Sequence, residues 1–396
     1  MALYVQKFGG SSVADVERLQ RVAQRIYDTK QAGFDVVVVV SAMGKTTDDL
    51  VKLAKKVNAD PNDREYDMLL STGEQISISV LAMALHALGI GAVSMTGPQA
   101  GIQTDASHVK AKITNIEPAR VQAEIDKGNV VIVAGFQGIN PNNDIATLGR
   151  GGSDLSAVAL AAALKADRCQ IFTDVDGVYT ADPRVVKKAQ KLNVISYDEM
   201  LELASLGARV LQSRSVEFAK KFGVEIEVLT SFEVKPGTVV KEEEAMESVA
   251  VRGVAADENQ AKVTVQTLPD KPGAAAELFK KIAEAGINVD VIVQNVSDAG
   301  ATDISFTVEK DDVTKVKGVL GTEGILYDEG IAKVSVVGIG MRSHTGVAFR
   351  MFQALADNDI NIEMISTSEI KVSVVIQESQ ANLALEKLHA AFGLDA

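Results

Sequence analysis

The sequence predicts an α/β chain in which a layered fold with a mostly parallel central sheet precedes two ferredoxin-like βαββαβ modules. Three observations predict it. The first half alternates strand-like and helix-like segments, as a parallel sheet with crossover helices requires. Residues 35–41 carry five consecutive valines, which suits a strand buried on both faces. The last third repeats itself, the mark of paired modules.

The elements follow in order. Leu3–Phe8 reads as a buried strand, followed by a Gly-Gly-Ser-Ser turn and a helix with Val16, Leu19, Ala23 and Ile26 near a helical period. After the valine strand, residues 76–88 read as a helix and 91–95 and 129–134 as strands. Residues 154–166 read as an Ala- and Leu-rich helix and 169–173 as a strand. Ligands of such sheets gather outside the carboxyl ends of the strands, so chemistry is expected in the loops there. Across residues 225–247 a strand at 226–229, a Lys235-Pro236-Gly237-Thr238 turn and a charged run mark the exit from the first domain. The expected domains are 1–245, 246–332 and 333–396.

In the repeat, Lys262-Val263-Thr264-Val265 matches Lys333-Val334-Ser335-Val336 at an offset of 71 residues. Lys271-Pro272-Gly273 matches His344-Thr345-Gly346, and residues 286–292 match 359–365, both at an offset of 73. Helices at 274–285 and 347–358 and strands at 303–308 and 371–376 complete the units. Residues 249–256 read as an extra strand that could complete either module. A duplication kept for stability alone is the alternative to a sensing role.

Composition excludes several function classes. The 396 residues are 46% hydrophobic and 23% charged, an ordinary globular mixture. With 53 acidic against 40 basic residues the net charge is −13, which argues against a basic nucleic-acid surface. The first 245 residues hold 27 basic and 31 acidic side chains and the remainder 13 and 22, so most of the acidity lies in the repeat. One cysteine, Cys169, excludes an intramolecular disulfide framework, and four scattered histidines disfavour a His-based metal site. No apolar run approaches the ~20 residues of a membrane helix, and Met1–Phe8 lacks signal-peptide character. A cytoplasmic protein with no nucleic-acid or membrane partner is expected. His86 and Cys169 read as core residues and His108 as a surface residue.

Three Gly-rich or small-residue loops stand at strand ends. Lys7-Phe8-Gly9-Gly10-Ser11-Ser12 joins a strand to a helix, where backbone N–H groups and a helix start favour an anion; a tight turn capped by Ser12 is the alternative. Leu148-Gly149-Arg150-Gly151-Gly152-Ser153-Asp154 opens the next helix. Capping explains Ser153 or Asp154, but not an Arg among three glycines, which could bind a carboxylate in bidentate fashion. Ser41-Ala42-Met43-Gly44-Lys45-Thr46-Thr47 follows the valine strand. Thr72-Gly73-Glu74 precedes a helix, with Glu74 either a dipole partner or a ligand for an ammonium. The Asp174, Tyr179 and Arg184 set could contact a nucleotide, and carboxylates there could also meet Mg²⁺. No Ser-His-Asp or Cys-His arrangement is suggested. The inventory fits phosphoryl transfer, which needs positioning and charge neutralisation, to an acceptor already ionised at neutral pH.

In this order and spacing, these motifs together with Gly135–Gly138 and Gly207–Ser215 resemble the aspartate kinases of the amino-acid kinase superfamily, and the repeat resembles their tandem ACT modules. The resemblance covers essentially the whole chain. It implies an amino-acid-kinase-like three-layer fold and transfer of the γ-phosphoryl of ATP to the β-carboxylate of L-aspartate, the first step toward lysine, threonine and methionine. It implies that Lys7 stabilises the transferred phosphoryl and Asp154 organises Lys7. Gly9, Gly10 and Ser11 would cradle phosphates, and Thr173, Asp174, Tyr179, Arg184 and Arg209 would bind ATP, with Mg²⁺ held mainly by its phosphates and no protein metal set. Ser41, Thr47, Glu74, Arg150 and Ser153 would hold aspartate, with Arg150 on its α-carboxylate and Glu74 near its ammonium. Lysine, threonine or both would act as effectors, at one pocket including Asp270, Ala275, Asn288 and Gln294 and another including His344, Val347, Asn361, Ile362, Thr367 and Glu369. A homo-oligomer through the ACT modules is implied, possible company being a shorter subunit starting near Met246. Arg209 stands where many relatives have Lys, and Thr345 where the second module often has Pro. Another carboxylate kinase of the superfamily and an inactive amino-acid sensor are the alternatives. Thr72-Gly73-Glu74 with the ACT pair argues against the first, and Lys7, Arg150, Asp154 and Asp174 against the second.

Overall fold

A computed structural model describes residues 1–208, 210–242, 250–295, 300–342 and 344–395. The chain forms two units. The first comprises Met1–Val178, Lys191–Ala204 and Arg209–Glu244, and the second Tyr179–Gln190, Ser205–Ala208 and Ala245–Ala396.

The first unit runs β1 (Leu3–Phe8), α1 (Val16–Gln31), β2 (Asp35–Val40), α2 (Thr46–Val57), α3 (Asp63–Leu70), α4 (Thr72–Ala87) and β3 (Ala92–Met95). It continues with β4 (Ile102–Thr104), β5 (Ile113–Ile116), α5 (Ala119–Asp126), β6 (Val130–Ala134), β7 (Gln137–Ile139), β8 (Ile145–Thr147), α6 (Gly152–Leu164) and β9 (Arg168–Thr173). β10 (Val194–Ser196), α7 (Tyr197–Leu203), α8 (Ser213–Phe222), β11 (Ile226–Thr230) and β12 (Thr238–Lys241) close it.

Eight strands form the main sheet in the order β10-β12-β11-β9-β1-β2-β6-β3. From β11 to β3 every neighbouring pair is parallel. All five valines of β2 are fully buried, because helices cover both faces. Val36, Val38 and Val40 pack with Leu19, Val22 and Ile26 of α1 and Ile78, Leu81 and Leu85 of α4, while α6 lies against β1, β2 and β9. This is the expected three-layer fold. A smaller sheet, β5-β4-β7-β8, flanks the loops that follow β6.

α4 begins at Thr72, four residues before the expected start, so Thr72-Gly73-Glu74 is its first turn. The helical stretch Asp63–Ala87 is apolar enough by composition to cross a membrane, yet half of its most apolar 18-residue window is buried inside the protein. His86, expected in the core, is exposed on α4, where its Nε2 lies 2.9 Å from the Ala92 carbonyl. Cys169 is buried as expected.

The second unit contains β13 (Gly253–Pro269), α9 (Ala274–Glu284), β14 (Ile292–Gln294), β15 (Ala301–Glu309) and α10 (Val313–Leu320). β16 (Ile325–Val337), α11 (Val347–Ala356), β17 (Met364–Thr367), β18 (Lys371–Gln377) and α12 (Ala381–Ala391) follow. One antiparallel sheet joins both modules in the order β14-β15-β13-β16-β18-β17. The long strands are shared. Residues 260–265 of β13 pair with β15 and with 325–331 of β16, while residues 253–257 pair with 333–337 of β16. The extra strand therefore completes the second module. The repeated turn has one backbone solution twice: Gly273 at φ +95° and Gly346 at φ +87° immediately precede α9 and α11, a conformation cheap only for glycine.

Two segments inside residues 1–245 belong to this second unit, which revises the expected boundary. Ala181 and Val186 are buried with Val334, Met351 and Leu388, the Thr180 hydroxyl lies 2.8 Å from the His389 imidazole, and the Val254 N–H donates to the Thr180 carbonyl. Apolar burial, not chain order, assigns the segment. The junction at 245/246 and Met246 itself lie outside the described residues.

The repeat also places reciprocal charges. Lys262 of the first module pairs with Glu363 of the second, and Lys333 of the second pairs with Asp290 of the first. Lys333 is 4% exposed, so removing its partner strands a buried ammonium. Asp290→Ala is expected to destabilise this unit by about 2 kcal/mol, less than for a wholly buried pair because Asp290 reaches solvent. Adding Lys333→Met should recover most of it in urea denaturation; no recovery would show that the pair is not what holds Asp290 in place.

Candidate active site

The parallel strands end on one edge, and backbone hydrogen bonds tie the loops there together. Gly9 N–H donates to Phe172 O at the end of β9, Ser41 N–H to Phe8 O, Gly135 N–H to Val40 O, and Ser231 N–H to Thr173 O. Each residue just past one strand thus continues the ladder onto its neighbour.

At the centre, Lys7 of β1 and Asp154 of α6 meet, with Nζ 2.6 Å from Oδ1. Both residues are less than 10% exposed. Asp154 stands in the first turn of α6, where the helix dipole favours a carboxylate. Lys7 Nζ lies beside the Gly9 backbone, 3.5 Å from where a Cβ would be. A Cβ on Gly10 would fall 2.8 Å from Ala42 O, so the two loops touch through backbone and only glycine fits. The Gly44 N–H donating to Gly10 O at 3.0 Å fixes that approach. Gly135 likewise leaves room for Ser153, whose Oγ would be 2.8 Å from an added Cβ. This cradle of backbone beside a buried ammonium fits phosphate oxygens.

Glu74, 3% exposed, accepts the Ala42 N–H at Oε1 at 3.1 Å, while its buried Oε2 has no hydrogen-bond partner. Burial raises its pKa to about 7, against the pull of hydrogen bonds from its own N–H and that of Ala42. An orphaned carboxylate oxygen in a polar loop cluster fits an ammonium. Ser41 follows β2 directly and Thr47 stands in the first turn of α2.

Arg150 is exposed at the tip of its loop, between Gly149 and Gly151, both at positive φ. Gln212 Nε2 donates to its carbonyl at 2.6 Å. Ser153 and Asp154 follow in the first turn of α6, so one loop carries all three. Thr173 ends β9, its hydroxyl 3.0 Å from Asp174 Oδ1. Among the described residues no group of three His, Cys, Asp or Glu side chains clusters as a metal site.

The structure thus brings together Lys7, Gly9, Gly10, Ser11, Ser41, Glu74, Ser153, Asp154, Thr173 and Asp174 on the carboxyl edge of one sheet. Tyr179 and Arg184 belong to the other unit, and the Arg184 guanidinium forks onto the Asp182 carboxylate at 2.7–3.1 Å, holding it below its usual range. Arg209 lies outside the described residues. In the second unit, His344, Val347 and Glu369 line a groove of about 520 Å³ with Met341, Ser368 and Val372. Ile362 packs on the module core, Asn361 is exposed beside it, and Thr367 ends β17. Asp270 and Ala275 flank the turn into α9, Asn288 follows that helix, and Gln294 ends the edge strand β14. Sequence reasoning missed the backbone contacts of Ala42 and Gly44, the room Gly135 leaves, and the buried Asp67. None of these carries a signal in the sequence, because each depends on groups that other loops bring in.

Glu74 links stability to pH. Between its ordinary 4.5 and about 7 the folded chain holds a proton that the unfolded chain has released. Stability from this group is therefore present at low pH and lost as pH rises through about 7. Glu74→Gln should gain about 3 kcal/mol relative to the parent between pH ~5 and pH ~8, read as a pH-dependent difference in Tm; a constant difference would mean ordinary acidity.

Comparison with known proteins matches both units of the chain. The amino acid kinase family model matches residues 2–230, and the ACT domain model matches 263–323 and 334–392. The aspartate kinase of Stutzerimonas stutzeri is 54% identical, over 100% of this chain and 98% of its own length. E. coli aspartokinase III in complex with aspartate and ADP is 26% identical with a TM-score of 0.82, over 98% of this chain and 99% of that one. The same enzyme in complex with lysine and aspartate gives 25% and 0.77, over the same shares. The chain belongs to the amino acid kinase family, in its aspartokinase branch with a tandem ACT pair.

Proposed function

We propose that this chain transfers the γ-phosphoryl of ATP to the β-carboxylate of L-aspartate, giving 4-phospho-L-aspartate and ADP, under feedback by an amino acid bound to its ACT modules. The observation that carries the reading is the buried Lys7–Asp154 pair beside the Gly9–Gly10 backbone, with the unpartnered Glu74 oxygen in the same loop cluster. The aspartate and ADP held by E. coli aspartokinase III support the substrates, and the lysine it binds supports the effector.

The acceptor β-carboxylate is already ionised at neutral pH, so no general base is required. One of its oxygens forms the new P–O bond as the bond to the ADP oxygen breaks. Catalysis then consists of positioning and of neutralising charge on the transferred group. Lys7 supplies a positive charge there, and Asp154 holds its ammonium in place at 2.6 Å. Gly9, Gly10 and Ser11 offer backbone N–H groups to phosphate oxygens, and Thr173 and Asp174 border the nucleotide. Mg²⁺, carried on the ATP phosphates, would neutralise their charge. Glu74 receives the substrate ammonium, Arg150 its α-carboxylate, and Ser41, Thr47 and Ser153 its remaining polar atoms. Nucleotide roles for Tyr179, Arg184 and Arg209 rest on the resemblance alone.

Lysine or threonine would bind the groove that holds His344, Val347 and Glu369, with Glu369 on the ammonium, and a repeat-related site near Asp270, Ala275, Asn288 and Gln294. A homo-oligomer through the ACT modules is supported by the edge strands β14 and β17, which present the repeat-equivalent Ile292 and Ile365 at 53% and 45% exposure. A cytoplasmic location is part of the same reading, in keeping with ATP use and a free, buried Cys169.

An ATP- and aspartate-dependent hydroxamate assay tests the reading. Product with another amino acid and none with aspartate would overturn it. Lys7→Ala should lower kcat about 10²–10³-fold; near-normal kcat would reduce Lys7 to a structural role. Glu369→Ala should raise the lysine or threonine concentration for half inhibition about tenfold, the worth of one charged hydrogen bond. An unchanged inhibition curve would move the effector elsewhere.

A further inference from the structure

We propose that Asp67 is a positioning residue for the Arg150 loop, and through it for the amino-acid substrate; this rests on the aspartate reading above. Asp67 is fully buried on α3, and its hydrogen bonds go to His108, Val109 and Thr147, none of which is assigned to substrate. A buried carboxylate is costly unless every lone pair is used, and here three donors use them. His108 Nδ1 lies 2.7 Å from Oδ2, the Val109 N–H donates to Oδ2 at 3.0 Å, and the Thr147 hydroxyl donates to Oδ1 at 2.5 Å. One carboxylate thus joins α3, the loop at residues 105–112 and the end of β8.

Everything it holds leads to Arg150. Thr147 is the last residue of β8, three positions before Arg150. Val109 is β-branched yet sits at φ +65°, a conformation such residues avoid unless the surroundings impose it. Its carbonyl lies 3.4 Å from where a Cβ on Gly149 would be, so the strained turn underlies the glycine beside Arg150. Ala111 N–H closes on Thr147 O at 2.9 Å, and Arg214 clasps Leu148 O at 2.6 Å and Ala111 O at 2.9 Å. The neighbour of Asp67 on the same helix, Tyr66, feels the charge of Arg150. α3 therefore anchors the root of the loop through Asp67. His108 sets its Nδ1 against Asp67, so the imidazole is a strut whose side chain is 18% exposed. A clamp misplaced by about 1 Å can lose two orders of magnitude in rate, which is reason enough to bury a charge for geometry.

The test uses the full chain with Asp67→Asn, Thr147→Val, His108→Ala and His108→Asn, and reads KM for aspartate and KM for ATP separately. Thr147→Val and His108→Ala each remove one strut and are expected to raise the aspartate KM about tenfold while the ATP KM stays within about twofold. His108→Asn, which keeps a side-chain N–H donor, should recover most of the loss. If Asp67→Asn does not fold by circular dichroism, the strut variants decide. An aspartate KM unchanged in folded Thr147→Val and His108→Ala, or both KM values rising together, overturns the proposal. Absence of aspartate-dependent turnover in the parent chain would overturn the substrate assignment and this inference with it, whereas normal parent turnover isolates the failure to Asp67.

Discussion

The pairing of Lys7 with Asp154 constrains most of what surrounds it. Two opposite charges are buried at 2.6 Å, and such a pair is weak evidence for stability, because desolvation offsets much of the attraction. Its presence makes sense as a preorganised cation on the carboxyl edge of the sheet. For the two to meet, β1 must be central, the start of α6 must lie across its end, and the loops between must be thin. Glycine at positions 10 and 135 is the consequence, since a Cβ at either would run into the neighbouring loop. The parallel order β9-β1-β2-β6 brings four such loops side by side.

The catalytic layer was readable from the chain because its signals are local. Five valines in a row announce a strand covered on both faces, and Gly-rich turns announce where the backbone comes close. The ends of α4 and the pairing of β13 were less readable, for physical reasons. Thr72 starts α4 early because Ser71 continues α3 in helical geometry at φ −62°, leaving no break for a turn signal to mark. β13 pairs with β16 along both of its halves, across register shifts near residues 257–262, and with β15 only from residue 260 on; nothing in an alternating strand says where such shifts fall. The motif at residues 173–184 points to a nucleotide through Asp174, Tyr179 and Arg184, while the burial of its second half follows Ala181 and, beyond it, Val186, two unremarkable apolar residues. Within the site, Lys7, Glu74, Arg150 and Asp154 were recognisable as charges at strand and helix ends. Asp67 was not, because a single buried acid is defined only by the donors that fold around it.

The ACT pair shows how a repeat becomes one body. Each module lends half of a long strand to the other, and each first-strand lysine, Lys262 or Lys333, reaches the acid of the opposite copy. Neither module could release its partner without exposing a strand edge and stranding a charge. An effector that shifts one module therefore works against the shared strands β13 and β16, and a coupling free energy needs such an element with two arrangements.

Charge distribution and mechanism meet at the same point. A net charge of −13 would repel ATP and aspartate alike if it were spread evenly. Most of it lies instead in the repeat, and the catalytic unit keeps its cations at the strand ends, Lys7 buried and Arg150 exposed. Glu74 completes the logic. Burial raises the Glu74 carboxyl to about 7, and a cationic neighbour would favour its ionised form. In the function proposed above, Glu74 takes on its full negative charge as the substrate's ammonium arrives, and the anionic ends of the two substrates approach loops whose local charge is positive.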